Sequence, residues 1–387
     1  MQLGEPSWMN EEHAVVRDSV QKFIAAEIAP HYEAWEEAGI VPRNIWNKLG
    51  KQGLLSPDIP EEYGGAGGNF QHLAVIIAEF PRHGYASFAG SLLGVHSGII
   101  NHYILNNGSA EQKSRYLPSM ASGKMVAAIA MTEPGAGSDL QGVTTTAKRD
   151  GNGYILNGAK TFISNGQHCD IVLVVAKTDS AVAGSKGISL LFVEKDAAGF
   201  SRGRNLDKIG LHSADTSELF FDDVRVEGDA VLGAQHGGFG VLMNELPRER
   251  MTLAIGSLGA AEGALQWTID YIRERKVFGQ PVGKYQNTRF KIAEMMTEIR
   301  SLRAFIDDCS GLLSAGDLDT VTASMAKLKA TELQGDIIDG CLQFFGGYGY
   351  MREFPISRAF VDARVQRIYG GTSEVMKEII ARGILGR

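Results

Sequence analysis

Asp150-Gly151-Asn152-Gly153-Tyr154-Ile155-Leu156 is a turn cluster that runs straight into an apolar, β-prone run, and others follow it. Ile171-Val172-Leu173-Val174-Val175, Ile188 to Val193 and Leu219 to Val226 are likewise separated by Gly, Asn and Asp turns. Short runs punctuated this way read as strands, so residues 126–236 are expected to form a central β domain, barrel-like or a sandwich. On either side the periodicity is helical. Val15, Val16, Val20, Phe23 and Ile24, then Leu73, Ile76, Ile77 and Phe80, recur at three-and-four spacing, which predicts an N-terminal all-helical domain over 1–125, broken at Pro57 to Gly68. After Gly237-Gly238-Phe239-Gly240 the helical pattern returns over 250–275, 287–315 and 318–345, with one more helix from Thr372 to the end. Helices this long need partners on more than one side, which predicts a C-terminal four-helix bundle over 237–387 and self-association. The fold class is α+β: helices, β domain, helices.

Composition narrows the function classes. The 387 residues are 44% apolar, enough for real cores, and 38 basic against 45 acidic residues leave a net charge of −7 with no basic face for nucleic-acid phosphate. No apolar stretch is long enough to span a bilayer, and Glu5, Glu11 and Glu12 do not fit a basic-then-apolar export signal, so a soluble, unexported chain is expected. Cys169, Cys309 and Cys341 form no C-x-x-C, which argues against a disulfide frame and for a reducing compartment. The nine histidines lack metal-ligand spacing and end at His236, so no metal is expected and chemistry in the C-terminal part must use another base.

Phosphate cradles of the P-loop and doubly wound types are missing, as is a nucleophile elbow. Three other stretches stand out. Met131-Thr132-Glu133-Pro134-Gly135-Ala136-Gly137-Ser138-Asp139 is a turn dense in small residues and hydroxyls; it reads either as a surface turn or as a place where backbone N–H groups approach a ligand. In Lys160-Thr161-Phe162-Ile163-Ser164-Asn165-Gly166, Phe162 and Ser164 are two apart and share one strand face; the stretch reads either as an ordinary strand with Phe162 in the core and a turn at Asn165-Gly166, or as a flat wall with a donor. Arg367-Ile368-Tyr369-Gly370-Gly371-Thr372-Ser373-Glu374 is a two-glycine linker with a helix cap, or an anion cradle.

Together with Arg275-Lys276-Val277-Phe278-Gly279-Gln280-Pro281 and Gln343-Phe344-Phe345-Gly346-Gly347-Tyr348-Gly349, these stretches resemble the acyl-CoA dehydrogenase family over nearly the whole chain. Those flavoenzymes introduce a double bond between the α and β carbons of an acyl-CoA. Ala323 to Lys327 and the segment from Asp362 through Glu378 look most like the long-chain branch. The resemblance implies FAD, with the flavin ring touched by Met131, Thr132, Phe162 and Ser164, and with Ser138 at cofactor and substrate. Phe162 stands where many relatives carry Trp, which keeps a flat apolar wall. It also implies that Arg275, Phe278, Gln286, Gln343 and Gly347 of a neighbouring subunit hold the adenosine-pyrophosphate end, with Thr372 and Glu374 from the subunit that holds the ring. A homotetramer is then expected.

Many family members read Tyr-Glu-Gly-Thr in the third stretch and use that Glu as base; here the matching residue is Gly370. The long-chain and isovaleryl branches place the carboxylate in a Glu-Arg pair at the start of the first long C-terminal helix. Pro247-Arg248-Glu249-Arg250 supplies that pair, which makes Glu249 the expected base, using space left open at Gly370. A C–H α to a thioester is too weakly acidic for a solvated carboxylate, so burial must raise the pKa of Glu249 and donors must stabilise the enolate oxygen. By resemblance those donors are the Gly370 N–H and a flavin ribityl hydroxyl. Tyr369 would pack on the thioester, and Arg250 would approach CoA or brace its helix. Small residues at Gly94, Val95, Ser97 and Gly98 are expected to give the acyl tunnel depth, with Val95 on the substrate. His96 is expected to be a satisfied core residue. The resemblance further implies fatty acid β-oxidation, re-oxidation by an electron-transferring flavoprotein, and a bacterial cytoplasmic or processed mitochondrial-matrix location. Oxygen-using oxidase or monooxygenase chemistry, or a silent acyl-CoA and flavin binder, are the competing readings.

Overall fold

Asn10, Asn69 and Ser109 open three N-terminal helices by one device: the side chain accepts the backbone N–H three residues on, and His13, His72 and Gln112 reach back to the cap. The computed structural model, which describes residues 5–179, 181–182 and 184–386, places seven α-helices before the sheet. These are α1 (Glu11–Phe23), α2 (Tyr32–Ala38), α3 (Asn44–Lys51), α4 (Phe70–Arg82), α5 (Leu93–Val95), α6 (Asn101–Asn107) and α7 (Ala110–Ala121). Short α5 lies between two π-helical turns, Phe88–Leu92 and His96–Ile100, a geometry that recurs at functional sites.

The central strands are β1 (Ala127–Ala130), β2 (Thr146–Asp150), β3 (Gly153–Ser164), β4 (Ile171–Lys177), β5 (Ile188–Glu194), β6 (Phe200–Asn205), β7 (Thr216–Val226) and β8 (Val231–Leu232). They follow the path β6-β7-β3-β2-β4-β5-β8, with β1 parallel to β4. Val172, Val174 and Ala176 pack with Leu156, Leu191 and Phe221 inside the curled sheet, while Ile171, Leu173 and Val175 meet Ile100, Tyr103 and Leu242 from the helices. Burial on both faces explains why β4 reads as an unbroken apolar run. The β3–β7 register shifts between Lys160 and Ile163, where Phe162 has φ +58°, so a bulge re-aims that side chain.

The remaining elements are α8 (Gly238–Glu274), a small hairpin of β9 (Lys276–Val277) and β10 (Gln280–Pro281), α9 (Gln286–Ala315), α10 (Thr320–Phe345), α11 (Pro355–Ala363) and α12 (Ser373–Leu385). Helices α8, α9 and α12 pack on α10, and α4 lies along α8. Two expectations are corrected here. Helix α8 begins at Gly238 rather than Arg250, so Glu249 sits inside it, two residues after Pro247, and not at its start. The breakers at Gly238, Gly240 and Pro247 are overridden by tertiary contacts: Gly238 lies against Ser189 of β5, and Glu245 accepts from Asn106 and Asn107. Helix α11 was unforeseen; Pro355 opens it at a position where a missing N–H is harmless.

A buried charge brace joins the N- and C-terminal helices. Glu262 of α8 receives Arg82 of α4 and, at 2.6 Å, Arg303 of α9. Removing one partner would leave the others buried and uncompensated, which typically costs about 3–5 kcal/mol. The relation of α4 to α8, on which the site depends, is therefore held firmly.

Candidate active site

Glu249, Thr252, Leu253 and Gly256 recur on one face of α8 at three-and-four spacing. Glu249 is buried, and the Tyr103 hydroxyl of α6 donates to its Oε1 at 2.7 Å. Among the described residues nothing donates to Oε2. Burial pushes the Glu249 carboxyl up to about 7; the Tyr103 bond and the Arg250 charge pull it down, and Glu245 pushes it further up. Tyr103 is itself fully buried and its pKa is driven well above the ordinary value, first by burial and then by the Glu249 charge, so it stays a donor. Nearby, Asp58 accepts from Arg248 and from His102 Nε2 at 3.2 Å. Burial raises the Asp58 carboxyl, but His102 and Arg248 outweigh it and hold the pKa below the usual value, so Asp58 stays ionised against Arg248.

Facing α8 is the Gly370-Gly371 turn, with φ +64° and +94°. A Cβ built on Gly370 would lie 2.3 Å from Leu253 Cδ1. The space beside Gly370 is thus filled by Leu253, one helical turn beyond Glu249, and not by the carboxylate as expected. Among the described residues the Gly370 N–H meets no acceptor, which leaves a donor free beside the same helix face. Tyr369 turns its hydroxyl toward Gly90, where a Cβ would come within 2.6 Å, and among the described residues that buried oxygen has no partner.

Arg250 is buried, donates to Ser324 of α10 at 3.1 Å and forms no ion pair among the described residues. Its direction fits the bracing alternative. Of the small residues expected at the tunnel, Gly98 lies against Thr252, 3.1 Å from where its Cβ would stand, while Gly94 faces the Ala89 carbonyl of the π-helical turn just before it. A small cavity of about 10 Å³ lies between Gly90, Leu253, Gly256 and Gln366, and half-buried Val95 lies between the two π turns. His96 is the satisfied core residue expected, bonded to the Met120 carbonyl and the Ala127 N–H.

A second group of residues lies along the sheet. Met131 and Thr132 follow β1, and the Thr161 N–H donates to the Thr132 carbonyl at 2.9 Å. Phe162 is 68% exposed beside this turn, and Ser164 ends β3. Ser138 is exposed in a loop where added Cβ atoms on Gly135 and Gly137 meet nothing within 4 Å. A large aromatic held outward in a left-handed backbone beside the Met131–Thr132 turn fits the flat ring of a flavin. Beneath the turn, Lys160 donates to the Met131 carbonyl at 3.0 Å and to Glu133 at 2.8 Å, both side chains being buried. A third group, Arg275, Phe278, Gln286, Gln343 and Gly347, lies exposed at the ends of α8, α9 and α10, with Arg275 5.5 Å over the Tyr348 ring and Phe278 99% exposed. Thr372 caps α12 through the Val375 N–H, and Glu374 lies exposed in its first turn.

Tyr103, Lys160 and Lys327 are the functional candidates that sequence reasoning missed. Tyr103 is 146 residues from Glu249 in the chain, and no local pattern joins them. Lys160 and Thr161 are both buried next to a bulge, so strand alternation gives no sequence signal that would single out Lys160.

Models of the acyl-CoA dehydrogenase N-terminal, middle and C-terminal domains match residues 10–124, 128–224 and 236–385. The long-chain specific acyl-CoA dehydrogenase, mitochondrial, of Sus scrofa is 49% identical over 384 residues, covering 99% of this chain and 89% of that one. The crystal structure of an acyl-CoA dehydrogenase from Geobacillus kaustophilus superposes with TM-score 0.95 at 44% identity, covering 98% and 100% of the two chains. A glutaryl-CoA dehydrogenase from Mycobacterium smegmatis, solved in complex with FADH2, gives TM-score 0.91 at 29% identity, with 98% and 96% covered. Three matched domains in order, on a fold shared nearly end to end, lead to one conclusion: the chain belongs to the acyl-CoA dehydrogenase family.

Proposed function

We propose that this acyl-CoA dehydrogenase acts on long-chain thioesters, using FAD, with Glu249 removing the α-proton to give the trans-2-enoyl-CoA. The observation that carries the reading is the buried Glu249, tied at Oε1 by Tyr103 on the face of α8 that meets Gly370. FAD, when bound, supplies at N5 the acceptor for the β-hydride.

The chain's own residues supply the rest. Oε2 of Glu249 takes the proton, and a pKa near 7 makes the carboxyl a far better match to a weak carbon acid than a solvated one. The Gly370 N–H holds the thioester oxygen as negative charge develops; a donor of this kind is typically worth about 2.7–4 kcal/mol. Met131, Thr132, Phe162 and Ser164 orient the ring, and Ser138 reaches cofactor and substrate. Arg275, Phe278, Gln286, Gln343 and Gly347 meet the far end of FAD across a subunit boundary, with Thr372 and Glu374. Supporting that boundary, Phe278, Phe290, Tyr348, Tyr350 and Met351 are exposed apolar residues, so a homotetramer is the assembly we infer. An electron-transferring flavoprotein is the acceptor, fatty acid β-oxidation the process, and bacterial cytoplasm or mitochondrial matrix the compartment; three buried, unpaired cysteines support a reducing one.

The test is product analysis. Holoprotein incubated with a series of acyl-CoA chain lengths and an electron acceptor should yield trans-2-enoyl-CoA, two hydrogens lighter, fastest with long chains. Stoichiometric peroxide in air without an acceptor would instead support the oxidase reading, and no product at any chain length would refute catalysis.

A further inference from the structure

Lys327 of α10 is buried on every side, an expensive place for an ammonium group unless it is bonded. Its Nζ donates to the Gly371 carbonyl at 2.7 Å. Among the described residues it forms no ion pair, and that carbonyl is the acceptor it meets. The turn it reaches is anchored at each end: the Tyr369 N–H donates to Val365, and Thr372 caps α12. Between those anchors stand two successive glycines with positive φ, the most permissive backbone available. Lys327 makes the sole hydrogen bond to the backbone of Gly370 and Gly371 among the described residues. Glu332, five residues along α10, is occupied by Ser373 and Arg367, so it does not compete for the ammonium.

We propose that Lys327 is a positioning residue for the reaction: by holding the Gly371 carbonyl it fixes the two-glycine turn so that the Gly370 N–H stays aimed at the thioester oxygen. A methyl-ended side chain would fill the same space without the desolvation penalty, so packing alone does not call for a lysine. The charge also has a consequence. Lys327 and Arg250 are neighbouring buried cations, and a positive interior beneath the turn favours negative charge developing on the oxygen above it. The inference rests on the function proposed above.

The test compares wild type with Lys327→Met, which keeps the stem, and Lys327→Gln, which restores a neutral donor. Two ligands are used anaerobically on the holoenzyme: a long-chain acyl-CoA, and its 3-thia analogue, whose α-proton is acidic enough to be removed without hydride transfer. Lys327→Met should bind the neutral thioester within about twofold of wild type, yet ionise the bound 3-thia analogue at least about tenfold less favourably and bleach flavin at least about tenfold more slowly, with Lys327→Gln in between. A merely structural lysine would weaken both ligands together or neither, and either result overturns the proposal. If Lys327→Met fails to fold, Lys327→Gln decides: ionisation equal to wild type overturns it. Wild type that never bleaches would refute the proposed function itself, whereas wild type and variant bleaching alike refute only the role of Lys327.

Discussion

Replacing Tyr103 with Phe removes one oxygen from the protein and one hydrogen bond from Glu249. The bond is 2.7 Å, buried and made to an ionised carboxylate, a class worth about 1.5–3 kcal/mol. At about 1.4 kcal/mol per pH unit, its loss should move the ionisation of the base upward by about one to two units. The direction follows from chemistry: the hydroxyl favours the carboxylate over the acid, so without it the proton is held more tightly. In wild type, with the carboxyl near 7, roughly half the molecules carry an ionised Glu249 at pH 7. In Tyr103→Phe that share should fall to about a tenth or less, while at pH 9 much of the activity returns. The assay is the pH profile of flavin bleaching by a long-chain acyl-CoA in single-turnover mode, with the thioester Kd followed alongside. An upward-shifted profile with little change in Kd is the expected result. An unshifted profile would refute the idea that Tyr103 sets the base, and a downward shift would reverse its sign.

The same carboxyl leaves a mark on stability. Its folded pKa lies above the unfolded value of 4.5, so its contribution is fully present below that pH and is lost as pH rises through about 7. Glu249→Gln should therefore gain melting temperature over wild type at pH 8, by about 3 kcal/mol of stability, and little at pH 4.5; equal gains at both would contradict the burial argument. Gly370→Glu forces a side chain into a left-handed backbone against Leu253 and should lose roughly 1–3 kcal/mol of stability in thermal melts, with part recovered by Leu253→Ala. Lys160→Met leaves Glu133 buried without its cation beneath the Met131–Thr132 turn; weakened FAD retention, measured by flavin absorbance after gel filtration, is expected, and unchanged retention would show that the pair does not support the cofactor turn.

The fold was legible where one physical signal dominated. Ile171 to Val175 is apolar on both strand faces because β4 is sandwiched between the interior of the sheet and the helices, and the Gly and Asn turns around it bounded the strand well. The start of α8 was not legible, since Gly238, Gly240 and Pro247 all signal a break; it is contact with β5 and with Asn106 and Asn107 that keeps the chain helical. Glu249 could be proposed as the base because it sits in a short recognisable pair. Its partner Tyr103 could not be foreseen, because the hydrogen bond joins two helices far apart in sequence. The reading of Gly370 as empty space failed for a similar reason: a missing side chain is visible in sequence, but what moves in to fill the gap, here Leu253, is a matter of packing. At Gly98 the Thr252 side chain packs close to where a Cβ would stand, since glycine permits close approach as readily as it leaves a void.

The most direct test of the account is anaerobic mixing of a long-chain acyl-CoA with wild type and with Glu249→Gln, both loaded with FAD. Wild type should lose its visible flavin absorbance stoichiometrically, while Glu249→Gln should hold FAD and thioester equally well and bleach about 10²–10⁴-fold more slowly. Bleaching of the variant at the wild-type rate would show that the proton leaves by another route.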